Sequence, residues 1–248
     1  MTICIDIGNS RVKCAAFNDE GTIVRREILP SKCDDESVFV SRIRDFFGDE
    51  TRIAVTNVVR GFSHLFGIGG AFEDVFLVTE DVLLPFKINY EKGMLGTDRI
   101  AAAAYASIIV PGANILVVDA GTALTFGVIL SEGVFDGGLI TAGAVTAVDA
   151  LSREAPALGH ISFGIADNLV AHNTRDALRS GFFNGYSSMV EGILSRIARQ
   201  YNRRFSLVIT GGGAAVLSHG LTVPYLREDD LVMKGINHLF CINRVGKR

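Results

Sequence analysis

The sequence predicts an α/β fold of two duplicated domains with a cleft between them. Three observations lead there. Short runs rich in β-branched residues alternate with longer helical stretches. The first half opens with a strand, Asp-Ile-Gly-Asn-Ser, a strand and a third strand, and the second half with a strand, Asp-Ala-Gly-Thr-Ala, a strand and a third strand. Asp6 and Asp119 hold equivalent places in this echo, and repetition on that scale marks a duplicated architecture.

Taken in order, ICID, VKCAAF and TIVRREIL read as strands, with Asn18 and Gly21 marking the second turn. A polar helix is predicted over 34–47, starting near Asp34 and Asp35 and ending near Gly48. RIAVTNV and VFLVT are further strands. GTDRIAAAAYASII is a helix by its alanine content and its stop at Pro111-Gly112. NILVVDA, ALTFGVIL and GVFDGGLI are three strands in close succession. A long helical region is predicted over 167–200, broken at Gly181 or Gly185. SLVIT is a strand, and GGGAAVLS turns into a helix. DDLVMKGINHLFCIN closes the chain as an amphipathic helix with Leu231, Ile236, Leu239 and Phe240 on one face. The two domains are expected at 1–114 and 115–248, closely packed because no Pro- or Ser-rich linker joins them.

Composition narrows the function. Of 248 residues, 48% are hydrophobic and 21% charged, with a mean hydropathy of +0.33, which is ample for a packed core. That hydropathy is high for a monomer of this size and points to a buried subunit interface. A net charge of −3 gives no general attraction to nucleic acid or an anionic membrane. The longest apolar stretch, residues 100 to 118, contains Pro111, Gly112 and Asn114, so it reads as helix, turn and strand rather than a span. The N-terminus has no basic region followed by an apolar run, and a cytoplasmic protein without a signal peptide is expected. Cys4, Cys14, Cys33 and Cys241 show no CxxC spacing, and Cys4 and Cys14 fall in core strands as small apolar residues. His64, His160, His172, His219 and His238 show neither metal-ligand spacing nor a nucleophile partner.

The chemistry lies in four motifs. In Asp6–Lys13, DIGNSRVK, Gly8 lets backbone pass close to an anion, and Asn9 and Ser10 can donate to phosphate oxygens. Lys13 follows as a point charge, and Asp6 can hold a hydrated Mg²⁺. One such motif by itself reads better as a turn with a surface lysine. A second copy, DAGTALT from Asp119 with Thr122 and Thr125 as hydroxyl donors, repeats the carboxylate that a turn does not need. Gly211 and Gly212, in TGGGA between a strand and a helix, read as an adenosine-binding turn. In GTDR, Gly96–Arg99, an acid in a first helical turn is ordinary capping, but a cation there opposes the macrodipole. Asp98 as a base and Arg99 as a carboxylate clamp give that pair a use.

This set, carried in order by DIGNSRVK, GTDR, DAGTALT, GGLITAG and NTRDALRSG, resembles the type III pantothenate kinases. These belong to the superfamily of acetate and sugar kinases, Hsp70 and actin. The resemblance covers almost the whole chain and implies duplicated ribonuclease H-like domains of the actin-like ATPase kind. It implies ATP-dependent phosphorylation of pantothenate, with Asp98 as proton acceptor for the primary hydroxyl. Tyr90, Gly96, Thr97, Arg99 and Thr174 would bind pantothenate, Arg99 near its carboxylate. Asp6, Gly8, Asn9, Ser10, Lys13 and Thr122 would bind ATP and its Mg²⁺. Asp119 would hold a monovalent cation, K⁺ or NH₄⁺. A homodimer with the pantothenate pocket near the interface is also implied. Two departures stand out: INYEKGMLGTDR lacks the family's proline before the glycine of GxDR and is one residue short, leaving Asn89 at the spacing usually held by tyrosine. GGLITAG also carries Ala142 where the family has proline. Two alternatives stay open, a non-catalytic nucleotide-binding regulator and a kinase for another small hydroxy acid.

Overall fold

The computed structural model describes residues 1–31, 36–47, 52–59, 75–159 and 162–245. They fall into two compact units, Met1–Ile109 with Leu231–Arg248, and Val110–Asp230. Cys33, His64 and His160, the predicted helix start at Asp34 and Asp35, and its stop at Gly48 lie outside the described residues.

The first unit holds a sheet of β1 (Thr2–Ile7), β2 (Arg11–Phe17), β3 (Ile23–Pro30), β4 (Ile53–Asn57) and β5 (Val75–Leu77), in the order β3-β2-β1-β4-β5. The first three strands pair antiparallel, and β4 and β5 add in parallel. All six residues of β1 are buried, as the central strand of a sheet covered on both faces requires. Strand alternation sends Ile3, Ile5 and Ile7 to one face, where Phe39, Ile43 and Phe46 of α1 (Glu36–Phe47) cover them. Cys4 and Asp6 therefore point to the other face. A two-residue strand, β6 (Lys87–Ile88), precedes α2 (Thr97–Ile109), whose alanines at 101–104 and 106 are all buried.

The second unit repeats the plan. Its strands β7 (Ile115–Ala120), β8 (Ala123–Leu130) and β9 (Val134–Ala142) form an antiparallel triplet. Next come α3 (Ala144–Glu154) and α4 (Thr174–Tyr201), then β10 (Ser206–Thr210), α5 (Ala214–His219) and β11 (Tyr225–Arg227). Strand β10 pairs in parallel with β7, and β11 with β10. Leu116, Val118, Leu124 and Phe126 pack with Val190 and Ile197 of α4.

The chain then returns to the first unit as α6 (Leu231–Val245), which packs on α2 and β1. The expected division at residue 114 is thus corrected twice: the boundary falls at Val110, and the last helix belongs with the N-terminal strands. The alanine face of α2 explains the second correction. A Cβ at Gly235 would run into the Ala101 carbonyl oxygen, so two small-residue surfaces let these helices meet at backbone distance. Leu231, Ile236, Leu239 and Phe240 are all buried, as their spacing predicts.

Three further differences have physical reasons. Helix α4 begins at Thr174 rather than 167, because Asn173 caps it by accepting a hydrogen bond from the Asp176 N–H at 3.0 Å. It runs unbroken through Gly181 and Gly185. Each glycine costs about 1 kcal/mol against alanine, but the buried Phe183, Val190 and Ile197 hold the helix to the sheet across that weakness. Helix α3 escapes sequence reading because its N-cap, Gly143, makes no side-chain hydrogen bond and so gives no start signal.

Candidate active site

The two carboxylates of the echo occupy the same structural position. Asp6, near the end of β1, pairs with Lys13 on antiparallel β2 and with Thr56 on parallel β4. Asp119, near the end of β7, pairs with Thr125 on antiparallel β8 and with Thr210 on parallel β10. Each unit thus presents an acid at the carboxyl end of its central strand, the usual place for ligands in open α/β sheets.

In the first unit, Asp6 is 8% exposed and accepts a hydrogen bond from the Thr56 hydroxyl at 2.9 Å. Thr56 itself is fully buried. Burial pushes the Asp6 carboxyl up to about 6, with Lys13 opposing the rise, the nearby Asp98 adding to it and the Thr56 hydroxyl opposing it. Asp98 sits in the first turn of α2, and its Oδ1 accepts from the Arg99 N–H at 2.8 Å. Burial raises Asp98 too, while the Arg99 N–H, the Arg99 guanidinium and Lys13 hold it back. Lys13 is therefore in electrostatic reach of both acids. Gly96 is the residue that Asp98 requires, since a Cβ there would lie 2.5 Å from Asp98 Oδ1.

The Arg99 guanidinium lies 5.5 Å from the centre of the Tyr90 ring, within cation–π range. Tyr90, one of the two candidates before Gly96, is thus placed beside Arg99. The shortened stretch is shaped without a proline: Glu80 accepts from the N–H groups of Gly93 at 3.0 Å and Leu95 at 3.3 Å. In the loop after β1, the Gly8 N–H donates to the Arg11 carbonyl at 3.1 Å, so it closes the turn and leaves Asn9 and Ser10 exposed beyond it.

In the second unit, Gly211 has φ +95, and a Cβ there would strike Asp119 Oδ1 and the backbone of Ala120. Only glycine lets this turn lie against Asp119. The Gly213 N–H donates to the Ala120 carbonyl at 2.9 Å, and the Thr122 carbonyl accepts from the Gly143 N–H at 2.9 Å and the Thr146 hydroxyl at 2.7 Å. Beside these turns lies a small, mainly apolar recess lined by Ala120, Gly121, Phe163, Tyr186 and Gly213. Thr122 and Gly212 are exposed, and Thr174 is exposed at the first residue of α4.

The structure therefore brings together Asp6, Lys13, Asp98, Arg99 and Tyr90 in one unit, and Asp119, Gly211 and Gly212 in the other. Sequence reasoning missed Thr56, Phe163 and Tyr186. A threonine inside a strand and aromatic residues in loop and helix carry no signal until the fold aligns them. Among the described residues, no group of three or more His, Cys, Asp or Glu could hold a metal ion by itself. Mg²⁺ held through one carboxylate, phosphates and water needs no such group. The buried Asp6, whose burial disfavours its charged form, suits that use.

The profile of the type III pantothenate kinase family matches residues 2–196. A type III pantothenate kinase of Sulfurihydrogenibium sp. is 33% identical over 255 residues, spanning 96% of this chain and 99% of the relative. Among solved structures, a Campylobacter jejuni chain described as a Baf family transcriptional activator matches with a TM-score of 0.67 at 21% identity, covering 98% of this chain and 99% of that one. A Sinorhizobium meliloti chain described as a 2-dehydro-3-deoxygalactonokinase matches with a TM-score of 0.64 at 12% identity, covering 96% and 98%. At these identities both likenesses are of fold, and they agree with a ribonuclease H-like pair of α/β units.

Proposed function

Because the chain belongs to the type III pantothenate kinase family, we propose that it transfers the γ-phosphoryl group of ATP to the primary hydroxyl of pantothenate. The product is 4'-phosphopantothenate, and the reaction is the first step of coenzyme A biosynthesis. The observation that carries this reading is the grouping of Asp6, Lys13 and Asp98 within electrostatic reach of one another, with Arg99 against Tyr90.

Phosphoryl transfer has a loose transition state, so the protein positions groups and neutralises charge. Asn9, Ser10 and Lys13 hold the phosphates, and Gly8 gives them clearance. Mg²⁺ bound beside Asp6 would supply charge neutralisation on the phosphate oxygens. Arg99 pairs with the pantothenate carboxylate, and Tyr90 and Gly96 line the substrate. Asp98 accepts the hydroxyl proton. Its Oδ1 accepts from the Arg99 N–H, which restrains the carboxylate. Burial raises its proton affinity, which brings a carboxylate closer to the working pH and makes it the better base.

In the second unit, Thr122 contacts ATP, Gly211 and Gly212 pass beside the adenosine, and the recess at Phe163 and Tyr186 takes the adenine ring. Asp119 holds K⁺ or NH₄⁺, for which a carboxylate oxygen is a fitting donor. Leu169 and Val170, each more than 70% exposed beside α4, offer an apolar face to a second copy in a homodimer. The enzyme is read as cytoplasmic, and no helix among the described residues is long and apolar enough to cross a membrane.

The test is ATP consumption with pantothenate against other small hydroxy acids, with and without K⁺. Pantothenate-dependent, K⁺-dependent ADP release is expected. Asp98→Asn is expected to lower kcat by about 10²–10⁴-fold while leaving affinity for a non-hydrolysable ATP analogue near wild type. Wild-type kcat in that variant would remove Asp98 from the base role.

A further inference from the structure

Thr97, in the motif GTDR, has its hydroxyl turned to the protein. Its Oγ1 accepts from the Asn57 N–H at 3.0 Å and faces the Asn57 carbonyl at 3.4 Å, a pair of contacts that uses the hydroxyl as both acceptor and donor. Asn57 is the last residue of β4, and it is held from other sides as well. Its side chain accepts from the Val59 N–H at 2.8 Å, and the next residue, Val58, donates its N–H to the Ile7 carbonyl of β1 at 3.1 Å. A Cβ on Gly96 would lie 3.7 Å from Val58 Cγ1, so the start of α2 seats against this same short segment.

The neighbouring residue on β4 does the matching task for the other acid. Thr56 donates to Asp6, its register partner on β1. Two adjacent residues of one strand thus fix both carboxylates, Asp6 through a side-chain hydroxyl and the Asp98 turn through a backbone amide and carbonyl. Neither link can shift without moving the end of a central sheet strand.

From this geometry we infer that Thr97 is a positioning residue that ties the Asp98 turn to β4, with its hydroxyl committed to Asn57 rather than to the substrate. The inference rests on the reading of Asp98 as the base. It gives the motif a division of labour. Gly96 makes room for the carboxylate, Thr97 anchors the turn, Asp98 takes the proton and Arg99 holds the substrate's acid group. Valine at 97 keeps the shape and removes the tether. Serine keeps the tether and removes a methyl group.

A displacement of about 1 Å in a reacting group costs on the order of 10²-fold in rate. Thr97→Val is therefore expected to lower kcat about ten- to a hundredfold, with KM for pantothenate and affinity for a non-hydrolysable ATP analogue close to wild type. Thr97→Ser is expected to restore most of the rate. Amide hydrogen exchange gives a second readout that needs no turnover. The Asn57 amide should lose protection in Thr97→Val and keep it in Thr97→Ser, while the core of the sheet stays protected in both. A raised KM for pantothenate with kcat kept would put the hydroxyl on the substrate and overturn the inference. So would unchanged kcat, or unchanged Asn57 exchange, in Thr97→Val. If wild-type protein did not phosphorylate pantothenate, the kinase reading would fall, and the exchange experiment would still judge the tether.

Discussion

Replacing Asp6 with asparagine removes a charge and keeps a shape. The Asn carbonyl can still accept from the Thr56 hydroxyl, so the change isolates the electrostatic cost of the acid. Burial raises the folded-state value from 3.8 to about 6. A difference of roughly two units, at about 1.4 kcal/mol each, amounts to about 3 kcal/mol. The direction follows from proton counting. Between about pH 4 and pH 6 the unfolded chain has released this proton and the folded chain still holds it, so stability falls as pH rises through that window. Above it, wild type carries the whole cost, and Asp6→Asn does not. The variant should therefore be more stable by up to about 3 kcal/mol near pH 8, and equal to wild type below about pH 4. Urea unfolding over that range, without nucleotide or divalent cations, measures the difference. On the proposed role of Asp6 beside the phosphates and their Mg²⁺, the same variant should also lose phosphoryl transfer. A difference that stayed flat with pH, or a variant less stable than wild type near pH 8, would refute this account of Asp6.

Gly211→Ala forces a side chain into a left-handed backbone position and against Asp119. It should cost at least about 1–3 kcal/mol and abolish nucleotide binding, as read by thermal unfolding and by titration with an ATP analogue. Asn173→Ala removes the side-chain cap of α4 and should lower stability by about 1 kcal/mol, with KM for pantothenate rising if the Thr174 turn serves the substrate. An unchanged melting temperature in Asn173→Ala would show that the cap contributes nothing.

Much of this was legible in the order of residues. Strand triplets separated by an acid and a glycine announce themselves by composition, and each appears where expected. The alanine-rich helix follows from composition and its Pro-Gly stop, and the buried face of the last helix from spacing. Helix α3 was illegible because Gly143 starts it without a side-chain cap. The continuity of α4 through two glycines was illegible for the opposite reason: local propensity argues for a break, and packing against the sheet overrides it.

The candidate site divides along the same line. Residue type and local motif single out Asp6, Lys13, Asp98 and Arg99 as candidates, because the acid-glycine turn recurs in both halves and GTDR sets an acid and a cation at a helix start. The sequence could not say that Thr56, fifty positions from Asp6, completes its hydrogen bonding. Nor could it say that the Thr97 hydroxyl turns toward Asn57, or that the last helix returns to the first unit. Those facts depend on strand register and helix contact, which join residues far apart in the chain. Burial likewise sets the proton affinity of both acids, and burial exists only once the sheet and its covering helices have closed.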